Sequence, residues 1–108
     1  MFNLFKSAPK NYQDLDGQSF KTAYNKAGKA ELLDVRTSGE FASGTIPGAK
    51  NLDVTSSEFK AAIEKLDKDK EYFVFCRSGN RSGSACQMLA EKGLKAYNLQ
   101  GGVGAWPR

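Results

Sequence analysis

The residues best equipped for chemistry lie in one run, Phe75-Cys76-Arg77-Ser78-Gly79-Asn80-Arg81-Ser82. A thiolate, not a thiol, is the nucleophile of cysteine chemistry, and three features of this run favour the thiolate at Cys76. A helix starting near Arg81 would present unpaired N–H groups and a partial positive charge. A tight loop through Gly79 and Asn80 can aim successive backbone amides at one anion. Arg77 and Arg81 add two full positive charges. Cys76 is therefore expected to ionise below the free value of about 8.5, with no partner base. The chain in fact offers no histidine, which excludes Ser-His and Cys-His nucleophile pairs and His-ligated metals. Two cysteines make neither a four-Cys zinc site nor a disulfide framework, so no metal or other cofactor is expected.

A lone cysteine is more often a small buried hydrophobe than a reactive group. The two arginines, two serines, glycine and asparagine after Cys76 do not make a core environment. Cys86 is the contrast. It falls on the following helix beside Ala85, with Leu89 and Ala90 on the adjoining face, and is expected to be buried and inert. The spacing between the two is not a Cys-x-x-Cys motif.

The elements that must position Cys76 alternate in type. Ser19 is a candidate cap for a helix to about Ala27, with Phe20, Ala23, Tyr24 and Ala27 on one face and Gly28 as its stop. Ala30 to Val35 reads as a buried strand. Thr37 or Ser38 caps a short helix through Phe41. A turn-rich stretch from Gly44 to Ala49 leads to a short strand near Asn51 and Leu52. Ser56 or Ser57 caps a helix with Phe59, Ala62, Ile63 and Leu66 at helical spacing. Glu71 to Phe75 is the strongest strand, apolar from Tyr72 onward, as in a parallel sheet covered on both faces. A helix runs from about Arg81 to Glu91 and stops at Gly93. Lys95 to Leu99 is the last strand, and Gly101-Gly102 turns the chain toward Trp106. The fold class is α/β, three-layered, with a mainly parallel sheet. Cys76 thus sits at the carboxyl end of a central strand, where open α/β sheets bind ligands.

Length and composition agree. The 108 residues, 40% hydrophobic and 26% charged, suit one core that removes roughly 65% of the unfolded surface from water. Residues 12–108 are expected to form that single domain, with residues 1–11 a mobile lead-in whose Phe2, Leu4 and Phe5 are too few for an anchor. The longest apolar run, Tyr72 to Cys76, is too short for a membrane span or a secretory signal, so a reducing cytoplasmic location is expected. Net charge is +4, and residues 1–71 are balanced. The excess lies in Arg77, Arg81, Lys92, Lys95 and Arg108, against Glu91 alone, a field that draws small anions. Dispersed basic residues without interleaved aromatics argue against nucleic acid.

Three stretches, in order, resemble the rhodanese-like domain family of single-domain sulfurtransferases. They are Asp34-Val35-Arg36 with Glu40-Phe41, Gly44, Ile46-Pro47-Gly48-Ala49 and Asn51; then Cys76 to Ser82; then Leu99-Gln100-Gly101-Gly102 with Ala105-Trp106. The resemblance covers residues 34–106. It implies a parallel five-stranded sheet between helical layers. It also implies that Cys76 takes a sulfane sulfur from a donor such as thiosulfate, holds it as a persulfide, and passes it to cyanide or a thiol. Amides of Arg77, Ser78, Gly79, Asn80, Arg81 and Ser82 would cradle the persulfide. Arg81, with Arg77 as a second candidate, would hold the donor's sulfonate end. Asp34, Arg36 and Glu40 read as structural support, with Arg36 and Glu40 spaced to pair across a helical turn.

The resemblance departs at Thr45, where the family usually has His. Weaker local order or altered acceptor access is expected there, without loss of activity. Two other readings compete. Phosphatases of similar fold need one more residue between Cys and Arg to enclose a tetrahedral oxyanion, and Cys76 and Arg81 are separated by only Arg77 to Asn80. A module that docks a protein partner, or relays sulfur to one, would use the positive final third as its contact face.

Overall fold

Successive strand side chains point to opposite faces, so a strand apolar at every position must be covered on both sides. The stretch from Tyr72 to Phe75 meets that condition. Tyr72, Val74 and the following Cys76 join one apolar cluster, while Phe73 and Phe75 join another. Leu33 and Val35 likewise face the first cluster and Leu32 the second.

The computed structural model describes residues 11–108. Its elements are β1 (Gln13–Leu15), α1 (Gly17–Lys26), β2 (Ala30–Asp34), α2 (Ser38–Ala42), β3 (Lys50–Asn51), α3 (Phe59–Glu64), β4 (Glu71–Phe75), α4 (Asn80–Glu91) and β5 (Lys95–Leu99), closed by a 3-10 turn at Val103–Ala105. The five strands form one sheet in the order β1-β5-β4-β2-β3, every neighbouring pair parallel. β4 is therefore central, and residue 76 emerges from the middle of the carboxyl edge.

Helices cover both faces. α3 and α4 pack on one through Phe59, Ile63, Ala85, Cys86 and Leu89. α1 packs on the other through Phe20, joined by Trp106 from the last turn. There Phe73 meets Phe20 and Tyr24 edge-on at 5.4 and 5.5 Å and stacks on Tyr97 at 4.6 Å. Among the described residues, no helix is long and apolar enough to cross a membrane.

Several local expectations need correction. α1 begins at Gly17, two residues before Ser19. Its cap is Asp16, whose carboxylate accepts from the Ser19 amide at 2.8 Å. Asp at that position supplies a full charge at the helix start, which outcompetes a hydroxyl. Neither Ser56 nor Ser57 caps α3. Glu58 occupies the cap without a side-chain bond, Ser56 Oγ accepts from the Glu58 amide in the preceding turn, and Leu66 lies beyond the helix end. β1 has no counterpart in the residue pattern, because three residues at a sheet edge are too few to show periodicity. The lead-in expected over residues 1–11 falls outside the described residues, apart from Asn11.

Candidate active site

The backbone leaves β4 at Phe75 and reaches α4 through four residues, Cys76 to Gly79. Gly79 is the helix cap, in a left-handed conformation at φ 103°, which a residue with Cβ adopts only under strain. A glycine cap has no side chain to bond the first free amides of the helix. The sulfur of Cys76 does so instead. Sγ accepts from the amide of Gly79 at 3.1 Å, the amide of Ser82 at 3.3 Å and the hydroxyl of Ser82 at 3.2 Å. Sulfur and helix start therefore satisfy each other.

The consequence is electrostatic. Burial pushes the Cys76 thiol up, but the Ser82 hydroxyl and the amides of Ser82, Gly79 and Ser78 outweigh it and bring the thiol below its ordinary value. Cys86, equally buried on α4, has no such donors among the described residues, and burial, with the negative charges of Asp14 and Cys76 adding to it, drives its thiol far up. Burial does not separate the two cysteines, because Cys76 too lies in the apolar core, contrary to the expectation from the polar residues that follow it; the donors around its sulfur do.

The arginines are placed differently from the expectation. Arg81 points to α2 and clasps Glu40 with both terminal nitrogens, at 2.8 and 3.0 Å. This bond from Arg81 holds the Glu40 carboxyl down at about 2, helped by the Thr37 backbone. Arg36 does not pair with Glu40. Its guanidinium grips Asp34 at 2.7 to 3.2 Å and donates to the Gly44 carbonyl at 2.6 Å. The reason is reach. Arg36 leaves the strand end beside buried Asp34, while Glu40 is turned away to complete a capping box with Thr37. Arg77 is exposed and, among the described residues, makes no ion pair.

Asp34, Arg36 and Glu40 do hold architecture. Asp34 is fully buried. It also accepts from the Arg36 amide and from Thr45 Oγ1 at 2.8 Å, so Thr45 ties its loop to the strand end rather than loosening it. Asn51 closes the same corner by donating to the carbonyls of Asp34 and Arg36, both at 2.9 Å. Gly102 seals the other side of the Cys76 loop. A Cβ there would lie 1.9 Å from the Arg77 carbonyl oxygen, and the next residue, Val103, donates its amide to the Cys76 carbonyl.

One buried residue of the site escaped the sequence reading. Asn98, near the end of β5, accepts from Ser82 Oγ at 2.5 Å and donates to Asp14 and to the Gly79 carbonyl. Its signal was a polar side chain next to Leu99 at the carboxyl end of a strand. That signal is weak without knowing that β5 borders β4.

A model of the rhodanese-like domain matches residues 18–108. The Bacillus subtilis protein YtwF is 45% identical over 75 residues, covering 69% of this chain and 71% of that one. A sulfurtransferase of Allochromatium vinosum is 33% identical over 96 residues and covers 88% of both chains. Among solved structures, a rhodanese-related protein of Thermoplasma volcanium superposes with a TM-score of 0.76 at 29% identity, over 88% of this chain and 90% of that one.

Proposed function

The chain belongs to the rhodanese-like domain family, and on that premise we propose that it is a sulfurtransferase working through a persulfide on Cys76. The observation that carries the reading is the set of three donors at 3.1 to 3.3 Å around Sγ, at the carboxyl end of the central strand. Such a set stabilises negative charge on sulfur whether the group is thiolate or persulfide.

The cycle is a double displacement. The Cys76 thiolate attacks the outer sulfur of thiosulfate. The S–S bond breaks, sulfite leaves with the electron pair, and the sulfur atom stays on Cys76. A cyanide or thiolate acceptor then attacks that sulfur, and Cys76 departs as the thiolate, ready for another turn. Amides of the loop from Arg77 to Ser82 hold the charge throughout. The donor's sulfonate is met by Arg77, because the Arg81 guanidinium is already neutralised by Glu40. Arg81 serves instead to lock α4 to α2, which keeps the loop in shape.

The four-residue spacer from Cys76 to Arg81 and the Glu40 clasp both disfavour a phosphatase reading, since the spacer is one residue short of enclosing an oxyanion and the Arg81 guanidinium is held by Glu40. The test is intact mass after thiosulfate, then cyanide. A gain of one sulfur atom, lost on cyanide and absent in Cys76→Ser, is the expected result. No gain in the unaltered chain, with Cys76 still open to alkylation, would overturn the reading.

A further inference from the structure

We propose that Asn98 governs the reactivity of Cys76 by competing with its sulfur for the single hydroxyl proton of Ser82. The inference rests on reading Cys76 as the nucleophile and names a positioning residue that acts through Ser82.

The argument is a count of protons. A serine hydroxyl donates one hydrogen bond. Ser82 Oγ lies 3.2 Å from Cys76 Sγ and 2.5 Å from Asn98 Oδ1, and all three residues are buried. Two acceptors thus share one donor. Asn98 cannot resolve the conflict by turning its amide over. Its Nδ2 donates to the Asp14 carboxylate at 2.8 Å and to the Gly79 carbonyl at 3.2 Å, and a flipped amide would set its oxygen against two acceptors. Asp14 therefore pins Asn98, and Asn98 presents its oxygen to Ser82.

Two arrangements follow. In the thiol state, Ser82 donates to Asn98 and the Cys76 S–H points at Ser82 Oγ. When the thiol proton leaves to solvent, the Ser82 O–H rotates to the sulfur anion, and Asn98 Oδ1 loses its donor. A buried acceptor without a donor is costly, so Asn98 holds Cys76 ionisation above the level its loop alone would set. A sulfur that is too stable as an anion is a weaker nucleophile, and this opposition tunes it toward the working pH.

The charged groups around this network are Arg77 in the loop, Arg81 of α4 with its partner Glu40 of α2, the Asp34–Arg36 pair at the end of β2, and Asp14 of β1 behind Asn98. Cys86 of α4 is neutral. All of them remain in the variants below, so the comparison reads the hydroxyl.

The test follows the thiolate ultraviolet absorbance of Cys76 against pH, with Cys76→Ser as blank. Asn98→Leu should lower the midpoint by about one pH unit, and Ser82→Ala should raise it by a similar amount. The double variant should match Ser82→Ala, because the direct route from Asn98 to the sulfur runs through that hydroxyl; a further shift in the double variant would mean that Asn98 acts through the Gly79 carbonyl instead, and would overturn the proposal. A midpoint unchanged or raised in Asn98→Leu, or moved equally with and without Ser82, would overturn the proposal. Removing Asn98 also strips Asp14 and the Gly79 carbonyl of a buried donor, so a second measurement uses the unaltered chain. The side-chain amide resonances of Asn98 should shift through the Cys76 midpoint and fall still in Ser82→Ala. Resonances that are flat in the unaltered chain would equally refute it. Sulfur loading by thiosulfate on the same samples reports separately on the proposed function.

Discussion

At the scale of single residues, the site separates the making of an anion from the binding of one. The thiolate is favoured by neutral donors at contact distance, whereas the positive charge that the proposed function gives to substrate binding is that of the exposed Arg77. The two jobs should fail independently. Arg77→Ala should raise the KM for thiosulfate several-fold, with kcat and the Cys76 titration midpoint nearly unchanged, because an exposed ion contact contributes modestly and only to binding. Steady-state kinetics at varied thiosulfate check this, and an equal fall in kcat would assign Arg77 a role in the displacement itself. The same logic separates the two cysteines. Both are buried, and among the described residues only the one at the mouth of a helix has amides to meet its charge.

Elements enter through the clasp between Glu40 on α2 and Arg81 on α4. It joins two segments forty-one residues apart and braces the first turn of the helix that holds the sulfur. Because Arg81 keeps the Glu40 carboxyl depressed to about 2 from an ordinary 4.5, the folded state binds this proton less readily than the unfolded one. The sign is fixed by that direction. The contribution to stability is fully present above pH 4.5 and is lost as pH falls toward 2. Glu40→Gln should therefore lower the denaturation midpoint at neutral pH, and the gap to the unaltered chain should close across that acid interval. Urea titrations at a series of pH values measure it. A gap that stays constant into acid would mean that packing, not the ion pair, holds α2 against α4. Glycines matter at this scale only where contact demands them, as at Gly102 against the Arg77 carbonyl.

For the whole molecule, one core residue illustrates the coupling of fold and site. Phe73 is fully buried among Phe20, Tyr24 and Tyr97, on the strand that leads into Cys76 and three positions before it. Phe73→Ala should cost about 3–5 kcal/mol, through lost burial and the cavity left behind. That is a large part of the total for a domain of this size, where about 5–15 kcal/mol is usual. Denaturant melts give the loss directly. Alkylation of Cys86 should accelerate in parallel, since that thiol reacts only from opened molecules; a stable variant with a protected Cys86 would contradict this account of the core.

What the sequence by itself determined was local or periodic. The continuous apolar run of β4, the helical spacing of α4 and the polar break between them placed Cys76 at a strand end facing a helix start. Those features depend on neighbours in the chain, so they could be read there. Four of the five strands were legible for the same reason, and the edge strand β1 was not. Thr37, one of two candidates, does cap α2, but the caps of α1 and α3 were misplaced by one to three residues, because several polar side chains near a helix start compete and only the folded backbone selects one. Pairing was decided by tertiary structure alone. Arg36, Glu40 and Arg81 could combine in more than one way by charge. Burial of Asp34 beside Arg36 and the capping box of Glu40 chose between them. Asn98 became part of the site only when β5 came to lie beside β4, for a hydrogen bond to Ser82 across sixteen residues has no signature in a linear chain.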